Sequence, residues 1–158
     1  MQVTKDQITF ETDQIHHFND PTTFEDVVKT MGNTLIEKGL VKKEYPDHVI
    51  AREKKFPTGL PTKPFGVAIP HTDAKWTNHN AIAIGILKEP IEQVVMGTDD
   101  TPVKVSIVFM LALGQSNKQL NILSKLMSVF QNQETLKKLK NASDKEIKDI
   151  VTKAILED

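Results

Sequence analysis

The sequence predicts one α/β domain over residues 1–158, a three-layer sandwich in which helices flank both faces of a mixed sheet. Helical and strand patterns alternate along the chain, which is typical of this class. The segment VKVSIVFMLAL, residues 103–113, becomes apolar on both faces, as a central strand covered by helices does. The chain also has the length of one domain, because two separate cores would each be small and marginally stable.

Two helices are predicted before the first strand. Thr22 and Glu25 have capping-box spacing, and apolar residues then recur at helical intervals up to Gly39, a typical stop residue. A second helix begins near Pro46, a favoured first-turn residue, and ends at about Lys55.

The middle of the chain predicts the strands. Residues 56–66, FPTGLPTKPFG, contain three prolines and two glycines and are expected to form a stiff, irregular loop before a short buried strand at residues 67–69. In residues 80–87, NAIAIGIL, the isoleucines point to one face and small residues to the other, where a neighbour can pack closely. Residues 91–96 predict a short edge strand, and residues 98–102 a turn.

Three helices are predicted after the long strand. Ser116 and Gln119 have capping-box spacing at the start of the first one. A short helix then carries Leu136 and Leu139, and Ser143 opens the last helix with a glutamate three residues later.

Composition excludes several classes of function. Twenty Lys and Arg against 21 Asp and Glu give a net charge of -1, whereas a nucleic-acid binder usually has a basic excess. Because the chain has no cysteine, it has no disulfide and no thiolate site. The polar N-terminal residues lack the apolar core of a secretory signal, and no apolar stretch approaches the length of about 20 residues that spans a membrane. We therefore expect a cytoplasmic protein that neither binds nucleic acid nor inserts into a membrane.

Common enzyme signatures are absent from the sequence. It contains no phosphate-binding P-loop, no GxGxxG fingerprint, no HExxH pair and no GxSxG elbow. The histidines do not have the spacing of a ligand cluster, because His16 and His17 are adjacent and His71 and His79 are eight residues apart. We therefore expect no metal and no cofactor.

His71 and Arg52 are the residues best suited to chemistry. His71 follows an apolar strand and Pro70, and the proline stiffens the backbone that presents the imidazole at the strand end. Arg52 shares a face of the second helix with His48, and the stiff loop links this helix to the strand before His71. The alternative for each is an ordinary surface side chain, a histidine beyond a strand and an arginine paired with a nearby acid.

Four segments occur in order and together resemble a known family. They are IAREKKFPTGL at residues 50–60, GVAIPHTDA at 66–74, the strand at 103–113 and NKQLNILSKL at 117–126. They resemble the enzyme IIA domains of the phosphotransferase sugar-uptake system, of the fructose–mannitol type and most closely its galactitol-specific branch. The resemblance covers nearly the whole chain. It implies an α/β sandwich with a mixed sheet, in agreement with the pattern of helices and strands.

The resemblance implies a phosphocarrier. Such domains accept a phosphoryl group from the phosphohistidine of the carrier HPr, hold it on a histidine that matches His71, and pass it to the IIB component, in this branch to a cysteine. The IIC membrane component then moves and phosphorylates the sugar, here galactitol or a related polyol. The family arginine matches Arg52. Two alternatives remain: a regulatory IIA-like module that signals by its phosphorylation state, and a noncatalytic binding module in which His71 is incidental.

Three further residues are candidate phosphate ligands. At the place of Gln119, mannitol-like members carry a second active-site histidine, whereas galactitol-like members carry glutamine, so this residue favours the galactitol branch. Its capping role with Ser116 would compete with phosphate binding. Backbone N–H groups near Thr72, and in the loop at Thr58, are suited to bind phosphate oxygens.

The proposed chemistry also follows from the residue types. A neutral imidazole attacks phosphorus through one ring nitrogen while an acceptor holds the other N–H. A backbone carbonyl is favoured as that acceptor over Asp73, because a carboxylate would repel the phosphate. The planar fork of Arg52 can bind two phosphoryl oxygens together. Two partners must dock in turn, which predicts a shallow site with an apolar rim from the prolines of residues 56–65 and Trp76, unless Trp76 is a partly buried anchor.

Overall fold

The computed structural model describes residues 8–114 and 116–156, with the side chains of residues 116–121 and 156 outside that description. Strand β1 is followed by helices α1 and α2, then by strands β2 to β5, then by helices α3 to α5. The bounds are β1 Ile15–Phe18, α1 Phe24–Glu37, α2 Tyr45–Lys55, β2 Gly59–Leu60, β3 Gly66–Ala68, β4 Ala81–Val94, β5 Pro102–Ala112, α3 Ser116–Phe130, α4 Gln133–Asn141 and α5 Asp144–Leu156, with single 3-10 turns at Thr12–Gln14 and Ala74–Trp76.

The strands of the described residues form one mixed sheet in the order β1-β4-β5-β3-β2. Strand β4 pairs antiparallel with β5, in a register that places Ile84 opposite Phe109. Strand β1 is parallel to β4, and β3 is parallel to β5. Strand β5 therefore lies at the centre of the sheet, which agrees with the apolar character of residues 103–113.

Helices cover both faces of the sheet, which confirms the predicted three-layer α/β sandwich. One face, with Ile82, Ile84 and Ile86 of β4 and Phe109 of β5, packs against α3, α4 and α5. The opposite face, with Ala81, Ala83 and Met110, packs against α1 and α2. A strand that is apolar on both sides requires both layers, because either face left in water would expose a large apolar area.

The small-residue face of β4 lets helix α1 lie close to the sheet. A Cβ atom added at Gly85 would lie 3.0 Å from Sδ of Met31 on α1 and 3.2 Å from the ring of Phe18 on β1. The predicted close neighbour of this face is therefore helix α1, together with the edge strand.

The starts of α1 and α5 agree with the predicted caps to within one residue. The Thr23 hydroxyl accepts a hydrogen bond from the Asp26 N–H at 3.1 Å, so α1 is capped one residue later than predicted, by a pair with the same spacing. The Ser143 hydroxyl accepts from the Glu146 N–H at 3.2 Å, as predicted for α5. Within the described residues no helix combines the length and the apolar character needed to cross a membrane.

Two strand predictions were wrong. Residues 91–96 do not form a separate edge strand: residues 91–94 continue β4 after a shift of register between Ile86 and Ile91, and β4 ends at Val94. Pro90 lies in this irregular stretch, where its missing N–H interrupts the ladder least. The loop at 56–66 also contains a short strand, since Gly59 and Leu60 pair with β3 as β2.

Strand β1 was not predicted from the sequence. It is only four residues long, and its IHHF sequence carries two histidines that obscure any apolar alternation. Nε2 of His16 lies 3.1 Å from the Thr34 hydroxyl on α1, and Nε2 of His17 lies 2.6 Å from Oδ1 of Asp144 on α5. The two rings therefore contact opposite helical layers from one edge strand.

Candidate active site

His71 lies at the edge of the sheet where the parallel strands β3 and β5 both end. Between strand β3 and the histidine, the carbonyl of Pro70 accepts a hydrogen bond from the Leu111 N–H of β5 at 3.0 Å. This bond holds the approach to His71 against the central strand. Side chains that follow the carboxyl ends of neighbouring parallel strands meet at one edge, which is where open α/β sheets place ligands.

The His71 ring has a defined tautomer. Its Nδ1 lies 2.9 Å from the carbonyl oxygen of Ile69, and the ring is half-buried. Because a carbonyl oxygen can only accept, this hydrogen bond requires Nδ1 to carry the proton. The lone pair is then on Nε2, the nitrogen that can act as nucleophile. The acceptor is a backbone carbonyl, the group that the sequence analysis favoured over Asp73.

Arg52 lies in the last turn of α2, a helix anchored beside the same strand end. The buried hydroxyl of Tyr45, at the start of α2, donates to the carbonyl of Leu111, and burial raises the pKa of Tyr45 far above its ordinary value. Nη1 of Arg52 lies 3.6 Å from Oδ1 of Asp73, and its Cζ lies 5.3 Å from the ring centroid of Phe56. The Nε atom of Arg52 is buried and has no hydrogen-bond partner among the described residues. The guanidinium is thus held by Asp73 and Phe56, while its Nε–H has no acceptor among the described residues.

Arg52 and His71 line one cavity of about 240 Å³, together with Thr72 and Asp73. Apolar side chains complete its lining: Leu111, Leu113 and Leu123, with Ala74 beside them. Of the predicted site residues, the structure therefore brings His71, Arg52 and Thr72 together. A nucleophilic nitrogen, a cationic fork and an apolar wall are the components needed to bind and transfer a small anion.

Thr58 does not line this cavity and does not have a free donor for phosphate. It is 4% exposed, and its hydroxyl donates to Oε1 of Glu53 at 2.8 Å while accepting from the Ile69 N–H at 3.2 Å. Its backbone N–H also donates to Glu53, to Oε2 at 3.0 Å. Thr58 therefore links Glu53 of α2 to Ile69, the residue whose carbonyl holds His71. The phosphate contact expected at Thr58 is not formed by this arrangement, because its donors are already used.

The remaining predicted candidates have separate positions. Gln119 lies on α3, and its side chain falls outside the described part of the chain, as does its expected capping bond with Ser116. Trp76 is half-buried and stacks on His48 of α2, with ring centroids 3.9 Å apart and planes 14° apart. This contact supports the anchor interpretation of Trp76, because the stack fixes the segment after His71 to the helix that carries Arg52.

Phe56 also belongs to this region, although no pattern in the sequence marked it. Its side chain is 61% exposed, although large apolar residues are seldom so exposed, and its ring lies against Arg52, a residue that lines the cavity. Only the position of an aromatic residue at the end of α2 could have indicated it. Exposed aromatic rings beside a functional cavity are typical of surfaces that bind a partner.

A larger cavity of about 560 Å³ lies between α1, α2 and the turn joining β4 to β5. Its lining contains five acidic side chains and one lysine: Glu25, Glu53, Glu92, Asp99, Asp100 and Lys54. That charge repels a phosphate, and no histidine lines it. In the part of the chain that the structure describes, no three His, Asp or Glu side chains are grouped closely enough to hold a metal ion. We therefore assign the candidate site to the smaller cavity.

Known proteins match this chain over most of its length. The relative named PTS system galactitol-specific EIIA component, from Escherichia coli strain K12, is 31% identical over 134 residues, which cover 84% of this chain and 87% of that protein. The Transcriptional regulator ManR of Bacillus subtilis strain 168 is 42% identical over 87 residues, covering 55% of this chain but only 12% of ManR.

A solved structure supports the fold independently. The complex of enzyme IIA-Mtl and phosphorylated enzyme IIB-Mtl from Escherichia coli superposes with a TM-score of 0.74 at 18% identity, covering 92% of this chain and 98% of the matched one. At that identity the similarity establishes the fold alone. Residues 9–154 also match the family model described as phosphoenolpyruvate-dependent sugar phosphotransferase system, EIIA 2. The chain therefore belongs to the EIIA type 2 family of the phosphoenolpyruvate-dependent sugar phosphotransferase system.

Proposed function

We propose that this chain is a phosphocarrier that holds a phosphoryl group on Nε2 of His71. One observation carries the proposal: His71, with Nδ1 engaged by the Ile69 carbonyl, lines the same cavity as Arg52. The Nε atom of Arg52, which is buried and has no hydrogen-bond partner in the described part of the chain, supports it, since a buried donor without an acceptor costs free energy that an arriving anion removes. Membership of the EIIA family supports the same role.

In the accepting step, the Nε2 lone pair of His71 attacks the phosphorus of a phosphohistidine on the donor protein. The bond from phosphorus to the donor nitrogen breaks, and its electron pair returns to the donor ring. Nδ1 of His71 keeps its proton and its hydrogen bond to Ile69, so this step requires no general base. In the delivering step, a thiolate of the acceptor attacks phosphorus, and the electron pair of the breaking bond returns to Nε2.

Arg52 stabilises the phosphoryl group during both steps. The charge on the equatorial oxygens must be neutralised and the reactants aligned, which is most of what phosphoryl transfer asks of a protein. A guanidinium can bind two of these oxygens at once. The backbone N–H groups near Thr72, which lines the same cavity, are the further donors in this proposal.

The proposed donor is HPr and the proposed acceptor is a cysteine of a IIB component, with the IIC component acting downstream on galactitol or a related polyol. The galactitol-specific relative supports this substrate class, and the structural neighbour solved with a phosphorylated IIB supports this kind of acceptor. Both partners must cover the cavity to reach His71. The exposed Phe56 ring beside Arg52 is the apolar contact we propose for them. The proposed place of action is the cytoplasm.

A regulatory module is the second candidate function. The match to the regulator ManR supports it, because a IIA-like segment can occur within a much longer regulatory protein. In that role His71 would still be phosphorylated, but the phosphorylation state would be sensed by a binding partner rather than passed to a sugar-specific acceptor.

Phosphorylation of His71 is tested with phosphoenolpyruvate, enzyme I and HPr. We expect the wild-type chain to acquire one acid-labile, base-stable phosphoryl group, located on His71 by mass spectrometry. His71→Ala should remain unlabelled. His79→Ala, the loss of a histidine outside the cavity, should label like the wild type.

The same experiment separates the candidate functions. Adding a galactitol-type IIB component should remove the label from a carrier and transfer it to a IIB cysteine, whereas a purely regulatory module should retain it. An unlabelled wild-type chain, or full labelling of the His71→Ala variant, would contradict both roles and leave the noncatalytic binding module.

A further inference from the structure

The candidate cavity contains a carboxylate that the chemistry of phosphate binding does not explain. Oδ1 of Asp73 lies 3.6 Å from Nη1 of Arg52, and both side chains line the cavity beside His71. An anion in a site for a phosphoryl dianion disfavours the bound state. Asp73 is not the group that orients the imidazole, since the Ile69 carbonyl holds Nδ1.

This inference rests on the proposed function. We propose that Asp73 forms an ion pair with Arg52 until the phosphoryl group arrives, and that it then destabilises phospho-His71 and so favours transfer of the phosphoryl group to a partner. Asp73 is therefore a positioning residue that sets the energy of the phosphorylated state through Arg52. The proposal concerns an equilibrium and not the identity of the nucleophile, so it can fail while His71 remains the phosphorylated residue.

The geometry of the ion pair suits such an exchange. At 3.6 Å the two atoms are beyond normal hydrogen-bond distance, and the Arg52 and Asp73 side chains are 38% and 67% exposed. Exposed pairs of this kind are weak, so a phosphoryl group of charge near -2 displaces the carboxylate from the guanidinium. Asp73 then remains beside the new anion without its partner.

Asp73 acts at both ends of the equilibrium. In the unphosphorylated chain its ion pair with Arg52 stabilises the resting state. In the phosphorylated chain the bond from Nε2 of His71 to phosphorus has formed and the bond from phosphorus to the donor histidine has broken. The Asp73 carboxylate then repels the phosphoryl oxygens. Both effects shift the equilibrium so that less of the phosphoryl group is on His71 and more is on the partner protein that donates or accepts it.

The alternative roles of Asp73 are excluded by the same contacts. A general base has no proton to remove, because Nδ1 keeps its proton and Nε2 carries the lone pair. A structural role in the core is excluded by the exposure of the side chain. The remaining role for Asp73 at this position is its electrostatic effect on phospho-His71.

The partition of phosphoryl groups between HPr and this chain tests the proposal. Equilibrium between the two free proteins, reached with catalytic enzyme I and a limiting amount of phosphoenolpyruvate, depends on the energies of the free species and not on how they dock. For Asp73→Asn we expect the equilibrium constant to shift about two- to fivefold toward the phosphorylated chain. The shift should shrink as ionic strength rises from 0.02 to 0.5 M, a response that a structural effect would not produce.

Two variants serve as controls. Asp73→Glu keeps the charge and should partition within about twofold of the wild type. Asp47→Asn removes a charge from the exposed first turn of α2, outside the cavity, and should leave the partition unchanged. Phosphoramidate, a small donor whose P–N bond breaks with release of ammonia, loads His71 without a protein partner. By ³¹P NMR the loaded Asp73→Asn variant should lose its phosphoryl group more slowly than the wild type.

The possible results separate the two proposals. If His71 is labelled in every variant but Asp73→Asn partitions like the wild type at low salt, the role of Asp73 is overturned and the phosphocarrier function stands. A shift of equal size in Asp47→Asn, or one that does not respond to salt, also overturns it. If neither phospho-HPr nor phosphoramidate labels the wild-type chain, the phosphocarrier function fails, and the role of Asp73 fails with it.

Discussion

His71 derives its reactive form from a backbone oxygen two residues earlier in the chain. The Ile69 carbonyl accepts from Nδ1 at 2.9 Å, which leaves the lone pair on Nε2, the nitrogen that we propose as the nucleophile, without the help of a carboxylate. A carboxylate in that place would strengthen the base but would also add charge next to the incoming phosphoryl group. At the scale of single residues, the site thus combines a neutral orienting group with one solvent-exposed ion pair between Arg52 and Asp73.

Replacing Arg52 by lysine tests the role of the planar fork. Lysine keeps the positive charge but loses the second donor, which is worth roughly 1.5–3 kcal/mol in a charge-assisted hydrogen bond. We expect Arg52→Lys to slow phosphoryl transfer from phospho-HPr by about ten- to a hundredfold, as measured by rapid-quench labelling. The midpoint of urea unfolding should stay close to that of the wild type. Lys55→Ala, at the end of the same helix, should transfer at the wild-type rate, and an unchanged rate in Arg52→Lys would make Arg52 an ordinary surface residue.

Thr58→Val tests the structural link that replaced the predicted phosphate contact. The substitution removes the hydroxyl that donates to Glu53 and accepts from the Ile69 N–H, leaving both groups buried and short of a partner. We expect the free energy of unfolding to fall by about 1–3 kcal/mol in urea denaturation. Thr101→Val, at an exposed position, should change it little. Intact stability together with a large loss of phosphate affinity would restore Thr58 as a ligand.

The loop between α2 and β3 is the element that joins Arg52 to His71, and it depends on a close approach to the sheet. Gly59 pairs with β3 within this loop, and its backbone also lies against the end of β4. A Cβ atom there would lie 2.6 Å from the Val94 carbonyl oxygen and 2.7 Å from Cγ1 of Val103. The prolines stiffen the loop, but this glycine lets it lie flat on the β4–β5 hairpin.

Gly59→Ala should therefore destabilise the fold. The clash with a backbone oxygen cannot be relieved by a change of rotamer, and overpacking of this kind costs about 1–3 kcal/mol. Thermal unfolding of the variant should begin at lower temperature than in the wild type. Gly114→Ala is the matched control, because its nearest neighbour, Oδ1 of Asn80, would lie at an ordinary 3.6 Å from the new Cβ. Equal stability of the two variants would show that the loop is not tightly placed.

At the scale of the whole molecule, strand β1 connects both helical layers through adjacent histidines. The His16 ring lies 3.1 Å from Thr34 of α1, and the His17 ring lies 2.6 Å from Asp144 of α5. Burial lowers the pKa of His16, and this effect exceeds the opposing influence of Asp13 and Asp144. The folded protein therefore holds this imidazole neutral over a pH range in which the unfolded chain protonates it.

This difference predicts a loss of stability in mild acid. The unfolded His16 binds a proton near pH 6.5, whereas the folded one binds it only at lower pH. As pH falls below about 6.5, the unfolded state takes up more protons, so the free energy of unfolding decreases until the folded ring is also protonated. We expect urea unfolding between pH 7.5 and 5 to show a smaller decrease for His16→Gln than for the wild type. An equal decrease in both chains would assign the effect to other groups.

Sequence patterns predicted the parts of this protein that depend on neighbouring residues in the chain. The central strand, the cap at α5, the cap at α1 to within one residue, the helix carrying Arg52 and the strand before His71 all follow from apolar periodicity and short-range hydrogen bonding. The same patterns missed β1, because four residues with two histidines have no clear alternation. The same patterns also predicted residues 91–96 as a strand separate from β4. The reason is that Pro90 interrupts the apolar pattern of the sequence, although β4 continues through it to Val94.

Local patterns in the amino-acid sequence were enough to establish an α/β sandwich and the family, and they predicted Arg52 and His71 as the residues whose chemistry suits phosphoryl transfer. Three features emerge only from the folded chain: Arg52 and His71 line one cavity, Ile69 and not Asp73 orients the ring, and the Thr58 hydroxyl is already engaged. The physical reason is the distance along the chain over which each interaction acts. Periodicity and capping act within a few residues, whereas a hydrogen bond or ion pair between distant segments forms only after sheet register and loop path have set the distance between them.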